Sequence, residues 1–303
     1  MLLKITFLGT AGTVPSIERN PSSVLIQREG VRILFDCGEG TQRQMMKAKS
    51  GFRISSIFIT HLHTDHFIGS FGLLETMSLN GREEPITFYA PDADFLRNLF
   101  RMFGYEHLGF PVRVIELGDG DVVDFGGFRV VAFETDHIVK SLGYALIEKS
   151  RRGKFDRKKA EELGIPPGPL YAKLASGESV VWNGRVITPE MVLGAARRGR
   201  KIVYTGDTRP CERTVEIARN ADVLIHDASF TSDLQEWAEE TKHSTAREAA
   251  EIASLAGVRQ LILTHISARY SKDSQPLLND AKTVFKNVMV AEDLMSIEVE
   301  LED

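Results

Sequence analysis

Apolar positions near the amino end come in short runs of period two or unbroken apolar character. Leu3–Leu8, Ser23–Gln27 and Val31–Asp36 are therefore expected to be strands. The spacing lengthens to that of a helix from Gly40 to Lys49, returns to β-branched strand character at Ile57–Thr60, and becomes helical again from Phe67 to about Leu79. Ile86–Ala90 reads as a strand and Asp92–Tyr105 as a helix capped by Asp92. Val112–Leu117, Val122–Phe125 and Phe128–Phe133 follow as strands, the last two joined by a tight Gly126-Gly127 turn, and Gly143–Ile147 closes the group.

The pattern then breaks. Lys149–Lys159 holds seven basic residues against one acid, and Gly164-Ile165-Pro166-Pro167-Gly168-Pro169 comes soon after. Glycine and proline interrupt helix and sheet alike, so this stretch is expected to hold no core element. It reads as a protruding arm, residues 149–180, inserted into one domain spanning 1–303. Strand character resumes at Lys201–Thr205, Asp222–His226, Gln260–Thr264 and Asn287–Ala291. Helices are expected near Cys211–Arg219, Ser244–Ala256 and Asp273–Phe285, with Ser244-Thr245 starting the second. The two ends share a layout of strands flanked by helices, which predicts an α/β sandwich of two sheets with helices outside.

Composition narrows the class. The chain has 303 residues, 43% apolar and 26% charged, enough for one large domain or two small ones. A net charge of −5 gives no global argument for nucleic-acid binding, so any basic surface must be local. Cys37 and Cys211 are too few for a disulfide scaffold or a thiolate zinc site, and a reducing cytoplasm is the expected compartment. Met1–Gly9 is too short and strand-like for a signal peptide. No apolar run approaches the roughly 20 residues of a membrane span.

The chemistry concentrates in His61-Leu62-His63-Thr64-Asp65-His66, on a loop between a strand and a helix. Imidazole and carboxylate together suit zinc, and also manganese or iron. His137, Asp207 and His265 each stand just past an expected strand, and sheet ends converge in space. Asp207 follows Gly206, which allows close approach and makes it the candidate bridge between two cations. Two cations sharing a water bring its deprotonation near neutral pH and stabilise a charged transition state. That argument reaches hydrolysis without choosing a substrate. His243 stands at the edge of a helix, not at a strand end. Asp227 can accept its second ring proton, which suits His243 to act as a general acid. His226 is expected to point into the fold, and His107, in the Gly104–Gly109 turn, to be structural or exposed.

These residues carry a resemblance. His61–His66 is similar to the signature of the metallo-β-lactamase superfamily, and the final His66 favours its two-metal hydrolases. Four further segments resemble the short form of the ribonuclease Z family, the tRNA 3′-processing endonucleases. They are Phe35–Gln44, Gly206-Asp207-Thr208-Arg209-Pro210, His243-Ser244-Thr245, and Leu263–Tyr270. Gly164–Gly177 resembles that family's glycine-proline exosite motif.

The resemblance implies an αβ/βα sandwich with two Zn2+ per subunit, Mn2+ being an alternative. His61, His63 and His137 would hold one ion and Asp65, His66 and His265 the other, with Asp207 bridging. Asp65 would double as general base, with His243 as acid and Asp227 behind it. The family acts as a homodimer in which the arm of one subunit grips the precursor tRNA cut by the other. Cleavage follows the discriminator nucleotide, leaving a tRNA 3′-hydroxyl and a trailer 5′-phosphate. Lys149, Arg151, Arg152, Lys154, Gly168, Pro169 and Arg269 would be substrate contacts. Phosphate contacts of this kind give affinity and register without reading sequence, and a folded tRNA would be recognised by shape.

Two departures stand out. Ile17 replaces the lysine of the family's Pro-x-Lys-x-Arg-Asn loop, which bears on precursors already carrying CCA. Asp227 stands where a glutamate is usual. The competing readings are a two-metal phosphodiesterase or other small-molecule ester hydrolase on the same scaffold, and a non-catalytic RNA-binding protein with a relic site.

Overall fold

The strands at the centre of the two large sheets are buried on both faces, which is why they read as continuous apolar runs and not as clean alternation. The structure, a computed structural model, describes residues 2–105 and 108–301. The expectation for His107 lies outside the described residues. In chain order the strands are β1 (Leu3–Gly9), β2 (Ser23–Arg28), β3 (Val31–Phe35), β4 (Ser56–Phe58), β5 (Ile86–Ala90), β6 (Val112–Glu116), β7 (Val122–Asp124) and β8 (Phe128–Glu134). They continue as β9 (Leu142–Glu148), β10 (Val180–Trp182), β11 (Arg185–Ile187), β12 (Lys201–Tyr204), β13 (Val223–Asp227), β14 (Gln260–Thr264), β15 (Val288–Val290) and β16 (Ser296–Glu298).

One seven-stranded sheet has the order β16-β1-β2-β3-β4-β5-β6, the other β15-β14-β13-β12-β9-β8-β7. Each contains a parallel block, β3 to β6 in the first and β12 to β15 in the second. Antiparallel strands extend each block: β1, β2 and β16 on one side, β7, β8 and β9 on the other. Phe7, Phe35 and Phe58 of the first sheet meet Tyr144, Tyr204 and Ile225 of the second in a shared core. The rings of Phe35 and Tyr204 stack across it, 5.7 Å between centroids. Burying side chains of this size stabilises the fold by on the order of 1.5–3 kcal/mol each.

Helices cover both outer faces. Gly69–Leu79 and Ala93–Met102 lie over Leu34, Ile57 and Phe88. Glu212–Ala218, Ala246–Ala256 and Gln275–Lys282 lie over Val203, Leu224 and Leu263. Asp92 caps its helix by accepting from Phe95 N at 3.0 Å. That helix stops at Met102, short of the expected Tyr105, and Gly104 just beyond takes a left-handed φ of 77°. Thr245 and Glu248 form a reciprocal capping box at the start of Ala246–Ala256. Among the described residues no helix is long and apolar enough to cross a membrane.

Residues 148–199, together with Leu301, form a second compact unit. The expectation that residues around the basic run hold no core element is corrected here. Arg157–Glu162 and Pro169–Ala175 are helices, and β10 pairs with β11 in a hairpin. Pro169 is tolerated because it sits in the first turn, where its missing N–H breaks no helix bond. Asn183 and Gly184, with φ of 49° and 74°, make the hairpin turn. Ala160, Ile165, Leu174, Val180, Ile187 and Val192 are buried together as the unit's own small core. Trp182 Nε1 donates to Gly164 O at 2.8 Å and Tyr171 Oη to Ile165 O at 3.1 Å, fixing the chain just before Pro166-Pro167.

Candidate active site

Strand ends from both sheets supply the site. Asp36 follows β3, His61–His66 follow β4, and His137 follows β8. Asp207 follows β12, Asp227 is the last residue of β13, and His265 follows β14. The carboxyl ends of parallel strands are where open α/β sheets commonly place ligands. Gly206 makes the approach of Asp207 possible: its φ is 61°, and a Cβ there would lie 2.7 Å from the Thr60 side chain.

The structure brings all seven sequence-predicted metal ligands together. His63 Nδ1 lies 2.9 Å from His61 Nε2 and 3.3 Å from His137 Nε2. Asp65 Oδ2 lies 3.4 Å from His66 Nε2 and 3.7 Å from His265 Nε2. Asp207 Oδ2 stands between the groups, 3.6 Å from His61 Nε2, 3.3 Å from His66 Nε2 and 3.2 Å from His265 Nε2. Both Asp65 oxygens, Asp207 Oδ1, His66 Nε2 and His265 Nε2 are buried without a hydrogen-bond partner. Buried polar atoms seldom stay unpaired, and convergent lone pairs of imidazole and carboxylate fit a divalent cation. Burial lowers the pKa of His61, His63 and His137, which favours the neutral ring that a cation requires.

A set of outer hydrogen bonds aims the rings. Thr60 Oγ1 meets His61 Nδ1 at 3.0 Å, Asp36 Oδ2 meets His66 Nδ1 at 2.8 Å, and Ser229 Oγ meets His265 Nδ1 at 2.9 Å. His137 Nδ1 donates to Lys242 O at 3.0 Å. Partners of this kind set the tautomer and orientation of a ligating imidazole. Asp36 is itself fixed by Thr60 N at 2.7 Å and Tyr204 Oη at 2.8 Å. Sequence reasoning did not assign Asp36, Thr60 or Ser229 a place in the site. The available signal was a lone carboxylate at the end of an apolar strand.

His243 and Asp227 stand beside this cluster. His243 Nδ1 is 2.8 Å from Asp227 Oδ2, so the aspartate reaches the ring despite its short side chain. Asp227 also accepts from Thr208 N at 3.2 Å, Ser229 N at 3.0 Å and Ser229 Oγ at 2.8 Å. Its oxygens are thus occupied, unlike those of Asp65, which separates it from the cation donors. Burial works against a charged His243, but the Asp227 carboxylate overrides it and lifts the imidazole to about 9. Arg209 holds the loop: its Nη1 donates to His243 O at 2.7 Å and its guanidinium pairs with Glu248. His226 is fully buried, as expected.

The remaining sequence-predicted contacts lie outside the donor cluster itself. Arg269 is exposed on the short Ala268–Tyr270 turn and lines a cavity with His243 and His265. Lys149, Arg152, Lys154, Gly168 and Pro169 are exposed within the 148–199 unit, and Arg151 is half-buried. Arg151 exchanges backbone hydrogen bonds with Arg197 at 2.7 and 2.8 Å, which adds a basic residue that the run at 149–159 did not reveal. In the early loop Ile17 is fully exposed, while Arg19 Nη1 donates to Thr10 Oγ1 at 2.7 Å and anchors the loop.

Two mixed sheets with outer helices, and histidine and aspartate donors gathered at their strand ends, define the metallo-β-lactamase fold, whose members use divalent metal. The family model described as Metallo-beta-lactamase superfamily matches residues 17–143, and one described as Beta-lactamase superfamily domain matches residues 176–266. Ribonuclease Z of Archaeoglobus fulgidus is 67% identical over 305 residues, covering 100% of both chains. Ribonuclease Z of Methanosarcina acetivorans is 55% identical over 300 residues, 98% of each. Among solved structures, human tRNase Z, short form, superposes with a TM-score of 0.70 at 31% identity, covering 98% of this chain and 100% of that one. The Bacillus subtilis protein YhfI shares the fold, with a TM-score of 0.71 at 21% identity over 97% and 99% of the two chains. The chain belongs to the ribonuclease Z family.

Proposed function

We propose that this protein is the endoribonuclease that removes the 3′ trailer from precursor tRNA, cutting after the discriminator nucleotide to leave a tRNA 3′-hydroxyl and a trailer 5′-phosphate. The observation that carries this reading is 67% identity over the full length to a ribonuclease Z. The site chemistry agrees with phosphodiester hydrolysis. His61, His63 and His137 would hold one divalent cation and Asp65, His66 and His265 a second, with the Asp207 carboxylate between them. Zinc suits this donor set, and manganese is the alternative. Bound there, such ions would acidify a water and draw charge from the phosphate in the transition state.

The chain's own groups do the rest. Asp65, whose oxygens lack other partners, accepts the proton of the attacking water. The Asp227 bond fixes His243 Nδ1 and leaves Nε2 to donate a proton to the departing 3′-oxygen. Arg269 contacts the substrate close to His265 and His243. Lys149, Arg151, Arg152 and Lys154, with Gly168 and Pro169, contact the body of the tRNA from the 148–199 unit, which serves as an inserted arm. In a homodimer each arm would serve the partner's site. A cytoplasmic location fits this substrate. Incubation with a 3′-extended precursor tRNA, with both product ends mapped, is the test. One cut at the discriminator is expected; no cut there, with turnover of a small phosphodiester, would overturn the reading in favour of a small-molecule hydrolase.

A further inference from the structure

We propose that the cavity beside His243 seats the base of the retained 3′-terminal nucleotide, with Trp237 as its stacking platform; the inference rests on the endonuclease reading above. The cavity measures about 370 Å3 and is walled by Val14, Phe230, Trp237 and Arg269, with His243 and His265 on its lining. Small-ligand sites run from about 300 to 1,000 Å3. Trp237 stands in the short helix Gln235–Glu240 and is 50% exposed. A large indole left half in water at the rim of a reaction site presents an apolar face suited to a flat ring. Gly12 keeps the space open, because a Cβ there would come within 3.1 Å of the His265 ring.

Geometry selects the nucleotide. With Nδ1 held by Asp227 at 2.8 Å, His243 has Nε2 to give to the departing 3′-oxygen. That oxygen belongs to the retained nucleotide, so its base, carried on the same ribose, can reach a cavity that His243 itself lines. A second cavity, about 610 Å3 beside His137, is less suited. Its wall offers no aromatic face other than His137, and its Asp119 and Asp136 are already paired with Arg213 and Lys242. Stacking tolerates any base because every base has a π-face. Arg269, exposed and on the lining of the same cavity, would pair with the phosphate 5′ of the seated nucleotide.

The test combines protein and substrate changes. The kcat/KM for precursor tRNA is measured with the base present, with an abasic retained nucleotide, and with an abasic first trailer nucleotide, for the unaltered protein, Trp237→Ala and Trp237→Phe. The unaltered protein is expected to lose about tenfold on the abasic retained nucleotide. Trp237→Ala should show the loss on the intact substrate and little further loss on the abasic one, while Trp237→Phe keeps most of the preference. Equal loss by Trp237→Ala on intact and abasic substrates, or coupling to the first trailer nucleotide instead, would overturn the inference while leaving the endonuclease reading in place. Failure of the unaltered protein to cut the intact substrate would overturn both.

Discussion

The Nδ1 of His243 lies 2.8 Å from Asp227 Oδ2, while that carboxylate is saturated by donors from Thr208 and Ser229. A carboxylate so engaged orients the imidazole and does not compete for a cation. His243→Ala is therefore expected to lower kcat by about 10²–10⁴-fold with metal content at the unaltered level. Steady-state cleavage and metal analysis on the same preparation check it. Loss of metal in the variant would place His243 among the ligands.

The role proposed for the basic residues of the 148–199 unit is of a different kind. Replacing Lys149, Arg151, Arg152 and Lys154 together with glutamine should raise KM for precursor tRNA far more than it lowers kcat. The slope of log affinity against log salt should become shallower by up to about 0.9 for each phosphate that is no longer neutralised. Binding isotherms across a salt series measure this. An unchanged slope would mean that these residues serve the unit's fold and not RNA.

Gly206 links backbone conformation to the site. Its φ of 61° and the 2.7 Å approach of a Cβ to Thr60 leave no room for alanine. The left-handed conformation alone costs a non-glycine residue about 1–2 kcal/mol, and relieving the clash must shift Thr60 or Asp207. Gly206→Ala should lower the melting temperature and the metal stoichiometry together. Thermal unfolding with metal analysis would refute this if stoichiometry held.

Much of this architecture was legible in the sequence, and for a physical reason. Strands buried on both faces leave long apolar runs, and His137, Asp207 and His265 stand within four residues of the ends of those runs, so these candidate ligands could be placed without coordinates. Asp36, Thr60 and Ser229 could not, because each acts through a hydrogen bond to a residue that sequence spacing does not single out, such as Asp36 to His66. The 148–199 unit was misread because its core comes from scattered single residues, among them Ile165 and Leu174. Neither lies in a periodic run.

Glu248 gives a pH prediction away from the cluster. Burial would raise its carboxyl, but hydrogen bonds from Arg209, Thr245 and Gln235 hold it below the ordinary glutamate value. A depressed folded pKa contributes stability that is full above the unfolded value, about 4.3, and is lost as pH falls through the folded one. Glu248→Gln should thus be less stable than the unaltered protein near pH 7, by about 1–3 kcal/mol. The gap should close as pH falls below about 4. Denaturant unfolding at a series of pH values tests it, and a gap independent of pH would reject the charge argument.

Chelation addresses the cluster as a whole. Asp65, Asp207, His66 and His265 bury polar atoms that no protein group satisfies, so a bound cation should stabilise the fold as well as activate it. A ligand present at 100 times its dissociation constant adds about 2.7 kcal/mol per site. Removing metal should therefore abolish precursor cleavage and lower the melting temperature by several degrees. Adding back zinc or manganese should restore both, with saturation at two ions per chain. Asp207→Ala should reduce that stoichiometry, because its Oδ2 approaches His61 on one side and His66 and His265 on the other. Loss of activity on chelation with no change in melting temperature would mean that the unpaired atoms are satisfied in some other way, and the two-cation assignment would fall.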